Sequence, residues 1–289
     1  MKFGIFGINM DDAASPEAML AVARKAEEVG MDSVWTGEHV IMPLDYRSRY
    51  PFGASGKIPV TPETNFADPL ISLAHVAAAT KTLKLATGIN LLAQSNPLLL
   101  AKQVASLDYL SGGRLLLGLG VGWLAEEFQA LGTPFERRGE RFDDYLAAMK
   151  KVWSGEVVEH RSEFLSWSGF KSYPLPARKP HPPIIIGGHS RAALRRVARS
   201  ADGWFAFTQN PERLREYIGQ LNGFAREAGR DPASIEITAL WNFGGKGAAP
   251  IETYSELGIS RLLVTLRALG EENPLPAIER LGNEVIAKV

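Results

Sequence analysis

The sequence predicts a (β/α)8 TIM barrel with insertions after strands 2 and 4. Three observations predict it: a length of 289 residues, eight short apolar runs separated mostly by segments of helical period, and runs that stay apolar throughout instead of alternating. Unbroken apolar strands belong to a parallel sheet that is buried on both faces. Eight repeats favour closure into a barrel, typically about 250 residues long, over an open doubly wound sheet. The open sheet is the alternative on pattern alone.

Residues 3–8 (FGIFGI) read as the first strand, and Ser15 then caps a helix with Pro16 at its first position and Gly30 at its end. Residues 32–37 are the second strand, Asp68-Pro69 opens a helix through Thr80, and residues 83–89 are the third. Asn96-Pro97 starts a helix closed by Ser111-Gly112-Gly113. Residues 114–120 are the fourth strand, and a long helical region runs through Trp153. Residues 183–188 form the fifth strand, with a helix at 191–200. Residues 202–207 form the sixth, and its helix begins after Asn210-Pro211 and lasts to about Gly229. Residues 234–241 and 260–266 are the seventh and eighth strands, before a closing helix near 274–288. Residues 41–66 and 154–182 fall outside the rhythm and read as insertions or lids.

Composition excludes several classes. Lys plus Arg and Asp plus Glu each total 32, so there is no cationic surplus for nucleic acid. Hydrophobic residues make up 45% and charged residues 22%, which is globular and not disordered. Without cysteine there is no disulfide framework, thiolate nucleophile or Cys-ligated metal. The first apolar run ends too soon at Asp11 and Asp12 for a signal peptide, and no apolar stretch approaches the roughly 18 residues of a membrane span. The expectation is a cytoplasmic single domain over 1–289, with no membrane or nucleic-acid partner.

Four places carry candidate chemistry. In Gly187-Gly188-His189-Ser190 a strand turns into a helix, so free N–H groups, the Ser190 hydroxyl and the charges of Arg191 and Arg195 would form a phosphate cradle. The alternative is a plain tight turn. Gly120-x-Gly122-x-x-Ala125 fits a dinucleotide fingerprint, but it follows the fourth strand and no strand ending in an acidic residue comes next. These glycines instead would clear space for a flat ring. Glu38-His39 lies just past the second strand, where barrel residues point into the site, and imidazole can pass a proton at either nitrogen. Gly88-Ile89 ends the third strand, where glycine suggests close backbone approach. The remaining histidines are too scattered for a metal site by spacing.

Taken in order, SVWTGEHV (33–40), LATGINLLAQSNPLLLAKQVASLDYLSGGRLLLGLGVGW (85–123), FERRGERFDDY (135–145) and PPIIIGGHSRAALRRVARSADGW (182–204) resemble the bacterial-luciferase-like oxidoreductases. The detailed pattern is most similar to the branch that uses the deazaflavin coenzyme F420. The resemblance implies a barrel with F420, or alternatively FMN, in its mouth, a small-molecule substrate and a homodimer. It implies hydride transfer with F420, or a two-component monooxygenase with FMN. It places a non-proline cis peptide at Gly88–Ile89 behind the ring, the phosphate on Gly187, Gly188 and Ser190, and the proton on His39 beside Glu38. Sugar-phosphate dehydrogenases of that branch carry Glu directly after the fourth-strand glycines. Here that position is Trp123, which implies a missing second carboxylate and an apolar wall for a hydrophobic substrate, or else simple core packing.

Overall fold

The computed structural model describes residues 1–53, 55–243, 249–270 and 273–288. Its barrel strands are β1 (Lys2–Phe6), β2 (Ser33–Thr36), β3 (Lys84–Thr87), β4 (Leu115–Gly120), β5 (Ile184–Gly187), β6 (Gly203–Ala206), β7 (Glu236–Leu240) and β8 (Arg261–Thr265). Every neighbouring pair is parallel, and β8 pairs with β1 while β3 pairs with β4, so the ring closes. All eight expected strands form within one or two residues of their predicted ends. The open sheet is excluded, because a strand order without free edges is a barrel.

Two-residue alternation explains why these strands are apolar along their length. Phe6, Trp35, Ala86, Leu116, Ile185, Phe205 and Leu263 point inward and form one apolar cluster. Their neighbours, among them Ile5, Val34, Leu85, Leu117, Ile186, Trp204 and Val264, point outward into a second cluster under the helices.

The main helices are α1 (Pro16–Glu28), α2 (Pro69–Ala79), α3 (Pro97–Leu110), α4 (Ala125–Ala130), α5 (Arg138–Trp153), α6 (Arg191–Ser200) and α7 (Pro211–Glu227). Shorter helices follow as α8 (Ile251–Glu256), α9 (Leu266–Leu269) and α10 (Leu275–Glu284). The expected caps hold: the side chains of Ser15, Asp68, Asn96, Ser190 and Asn210 each accept a first-turn N–H.

The helical region after β4 is two helices, not one. It breaks at 131–137, where Gly132 and Arg137 take positive φ of 68° and 52°. A hairpin of Val158–Arg161 and Ser166–Phe170 follows α5. His160 bonds Asp144 at 2.8 Å and Arg137 pairs with Glu163, so the hairpin folds back along the outside of α5. Residues 154–182 therefore contribute nothing to the mouth of the barrel, and of the two irregular stretches only 41–66 acts as a roof.

Candidate active site

A cavity of about 1460 Å³ opens at the C-terminal ends of the strands. Its floor begins at the end of β3. The Gly88–Ile89 peptide is cis, as the resemblance implied, and Ile89 lies over the barrel's interior. A Cβ on Gly120 would come within 1.9 Å of Ile89 Cδ1, and one on Gly187 would meet the same atom at 3.2 Å. The inward glycines of β4 and β5 thus make room for Ile89, which in turn lines the cavity. Gly120 itself is buried and does not line it; the space its missing Cβ leaves is taken by Ile89 and not by a ligand. Gly122, at φ 79°, does line it. A Cβ on Gly88 would meet the rings of Trp35, Phe205 and Phe6 at 3.0–3.2 Å, so any side chain there would have to push these three rings apart.

On one wall stand Glu38 and His39, directly after β2. His39 Nδ1 lies 3.2 Å from Glu127 Oε2, and this carboxylate is fully buried. Its other oxygen accepts the N–H of Val40 at 2.6 Å and that of Ile41 at 3.4 Å. The imidazole's one hydrogen bond among the described residues is the one at Nδ1, and the ring lines the cavity. Phe66 and Trp123 meet the imidazole edge to face at 5.5 and 5.8 Å. Glu38 is half-buried and lines the cavity. Burial pushes its carboxyl up to about 7, against the N–H of Leu91 and the amide of Asn90, with Glu127 and Asp68 adding to the rise.

Glu127 was not legible as a site residue, because EEF in a charged helical stretch reads as a solvated face. A carboxylate does face His39, then, but from α4, four residues beyond Trp123. Trp123 lines the cavity and touches His39, Tyr46 and Tyr50 at ring separations of 5.3–5.8 Å. Tyr50 and Phe52, from the insertion after β2, cross the mouth. Phe52 packs on Phe207 and His189 at 5.2 and 5.1 Å. Burial raises the Tyr50 phenol to about 12, so it remains a neutral donor.

The opposite wall is the turn after β5. Gly188 has φ 110°, and its carbonyl accepts the indole N–H of Trp204 at 2.9 Å. Ser190 Oγ accepts the N–H of Ala193 at 3.1 Å, which leaves its own proton free to donate. His189 stacks on Tyr217 at 4.9 Å and 18°. Burial, with the charge of Arg213, lowers it to about 4, so it is a neutral ring whose buried Nε2 lacks a partner among the described residues.

Arg191 and Arg195 do not serve this turn, because both guanidinium groups lie over the ring of Phe224, at 5.3 and 4.7 Å. Among the described residues Arg49, Arg138, Arg213 and Arg267 border the cavity, and Arg213 is the one whose charge bears on His189. Arg138 is held by the Gly122 carbonyl at 3.1 Å and by the face of Phe135 at 3.8 Å.

A closed parallel barrel with its cavity at the strands' C-terminal ends, an acid–imidazole pair on one side and a helix N-terminus on the other is the arrangement of a barrel enzyme. The profile of the luciferase-like monooxygenase family matches residues 1–243, and the chain belongs to that family. An uncharacterised protein of Mycobacterium tuberculosis is 30% identical over 279 residues, covering 93% of this chain and 95% of that one. An FMNH2-dependent dimethylsulfone monooxygenase of Pseudomonas putida is 30% identical over 163 residues, 55% of this chain and 45% of that one. Among solved structures, an F420-dependent secondary alcohol dehydrogenase in complex with an F420–acetone adduct superposes with a TM-score of 0.78. It is 19% identical and covers 99% of this chain and 98% of that one. The family is one of oxidoreductases and monooxygenases, with both F420-dependent and FMN-dependent members among the neighbours. No helix among the described residues is long and apolar enough to cross a membrane.

Proposed function

We propose that the chain transfers a hydride between coenzyme F420 and a small organic substrate, with His39 passing the accompanying proton. The observation that carries this reading is one continuous cavity with a buried, carboxylate-backed imidazole at one end and an anion-ready helix N-terminus at the other. The match over the whole chain to a 5,10-methylenetetrahydromethanopterin reductase of Methanolobus tindarius, 26% identical, and the F420-dependent tetrahydromethanopterin reductase among the superposing structures support the deazaflavin. The match to the FMNH2-dependent monooxygenase, over about half the chain, keeps FMN as the second reading.

The residues present fit such a group. Gly188 offers a side-chain-free turn, the orphaned Nε2 of His189 lacks a polar partner, and roughly 300–1,000 Å³ is the usual size of a ligand pocket, so about 1460 Å³ leaves room for substrate as well. Gly187, Gly188, His189 and Ser190 would hold the phosphate end, with Gly88, Ile89 and Gly122 beside the ring. When bound, F420 supplies a carbon that accepts or yields a hydride. In the oxidising direction His39 Nε2 takes the hydroxyl proton of the substrate; in the reducing direction it returns one to a carbonyl oxygen. Glu38, half-protonated near neutrality, holds a second proton beside it. Phe66, Trp123 and Tyr50 exclude water and present an apolar wall to the substrate, with Tyr46 packed on Trp123. A homodimer belongs to the same proposal, supported by exposed Ile71, Leu99 and Leu110 on the adjacent α2 and α3.

Titrating the protein with each oxidised cofactor, read by fluorescence, tests the proposal. The expected result is saturable F420 binding, retained within about threefold in His39→Asn, whose turnover falls by a factor on the order of 10²–10⁴. Tight FMN binding without F420 binding reverses the order of the two readings. Unchanged turnover in His39→Asn removes His39 from proton transfer.

A further inference from the structure

The buried carboxylate of α4 has a role that its place outside the cavity hides. We propose that Glu127 is the positioning residue that fixes the His39 tautomer, holding the proton on Nδ1 so that Nε2 faces the cavity as a proton acceptor.

Four observations converge on it. Oε2 lies 3.2 Å from Nδ1, and a carboxylate can only accept there, so Nδ1 carries the hydrogen. Oε1 takes the two N–H groups that directly follow the imidazole in sequence, those of Val40 and Ile41 at 2.6 and 3.4 Å. One side chain therefore fixes both the ring's protonation site and the backbone that carries it. The Glu127 side chain is 1% exposed and that of His39 is 7% exposed, so water does not compete for the bond. Edge-to-face packing of Phe66 and Trp123 at 5.5 and 5.8 Å leaves the ring little freedom to turn over. The same logic places a buried carboxylate behind catalytic imidazoles elsewhere: it selects the tautomer and orients the ring without itself giving up or taking a proton.

The consequence for turnover rests on the reading of His39 as the proton-transfer group; the tautomer does not. Long-range proton–nitrogen spectra of histidine-labelled protein without cofactor separate the two, with His39→Asn identifying the His39 signals among five histidines. The wild type is expected to show Nδ1 protonated and Nε2 bare. Glu127→Gln, whose amide can present hydrogens to Nδ1, is expected to populate the opposite tautomer, and Glu127→Asp to restore the original one at least partly. In F420-loaded protein, kcat of Glu127→Gln should fall on the order of 10²-fold with substrate KM within about threefold, with partial rescue in Glu127→Asp. A bare Nδ1 in the wild type overturns the proposal and needs no variant. So does a Glu127→Gln protein that keeps both the wild-type tautomer and wild-type turnover. Failure of the protein to bind or turn over F420, with the tautomer result as expected, would overturn the proposed function and leave the role of Glu127 standing.

Discussion

Gly188 holds a backbone conformation that few residues can share. Its φ of 110° is closed to β-branched side chains, and a Cβ would sit 3.1 Å from that of Ala193 in the first turn of α6. Gly188→Val should therefore act twice. Backbone strain should lower stability by about 1–3 kcal/mol. The added methyls should also crowd the turn that presents its N–H groups, raising the F420 dissociation constant about tenfold or more. Isothermal titration beside thermal melts separates the two effects. A variant that melts earlier but binds with unchanged affinity would place the phosphate elsewhere. At this scale the sequence is informative where a residue type is nearly obligatory, as with Gly88, Gly188 and the cap Ser190. It is least informative where the type is common: nothing in Glu127 distinguishes it from Glu126 until the fold buries one and leaves the other half-open.

Those two glutamates also explain how the insertion after β2 becomes a roof. Glu127 grips its first residues, while Glu126 accepts Arg47 N–H at 2.7 Å, Ser48 N–H at 3.3 Å and the Ser48 hydroxyl at 2.7 Å. Ser48 Oγ in turn accepts the N–H of Ala125 at the start of α4. The loop between swings outward, with Leu44 89% exposed, and returns to set Tyr46 on Trp123 and Tyr50 and Phe52 over the cavity. Burial opposes ionisation of Glu126, but the Ser48 hydroxyl and the backbone donors outweigh it and hold the carboxyl below its usual range. Glu126→Gln should loosen the roof without unfolding the barrel. Amide exchange over about residues 46–52 should accelerate several-fold at neutral pH, while exchange in the strands stays the same. Equal exchange in both proteins would mean that the aromatic contacts of Tyr50 and Phe52 hold the roof unaided. Such a roof was legible only as a stretch without periodicity, because its partners lie some 80 residues away on α4. The strands were legible because burial on both faces makes them apolar throughout. The outer hairpin was not: Val158–Arg161 is buried only at alternate positions, and three of its partner's five residues are Ser or Gly, with little burial.

Seen whole, the barrel is layered: the ligand cavity above, the inward apolar ring in the middle, and charges at the N-terminal end. There Arg261, 1% exposed, bonds Asp32 at 2.9 Å and Thr238 at 3.2 Å and pairs with Glu236. Lys84 and Lys2 reach the same two carboxylates at 2.8 and 2.7 Å. Burial raises both carboxyls, but Arg261 and the two lysines outweigh it and keep Asp32 and Glu236 below their ordinary values. The folded protein therefore binds fewer protons here than the unfolded chain, whose Asp and Glu titrate near about 4. The stabilisation is complete above that point and disappears as pH falls through the lower folded values. Arg261→Met should destabilise the protein at neutral pH by about 2 kcal/mol, below the 3–5 typical of a fully buried broken pair because the carboxylates keep some water. It should also flatten the acid limb. Between about pH 4.5 and 3 the melting temperature of the variant should fall less steeply than that of the wild type, because its two carboxyls have lost the cation that held them down. Parallel acid limbs would locate the acid sensitivity in other carboxylates, with Glu27 the first to examine, since three backbone N–H groups and the Thr82 hydroxyl lower it to about 2 against the opposing pull of burial.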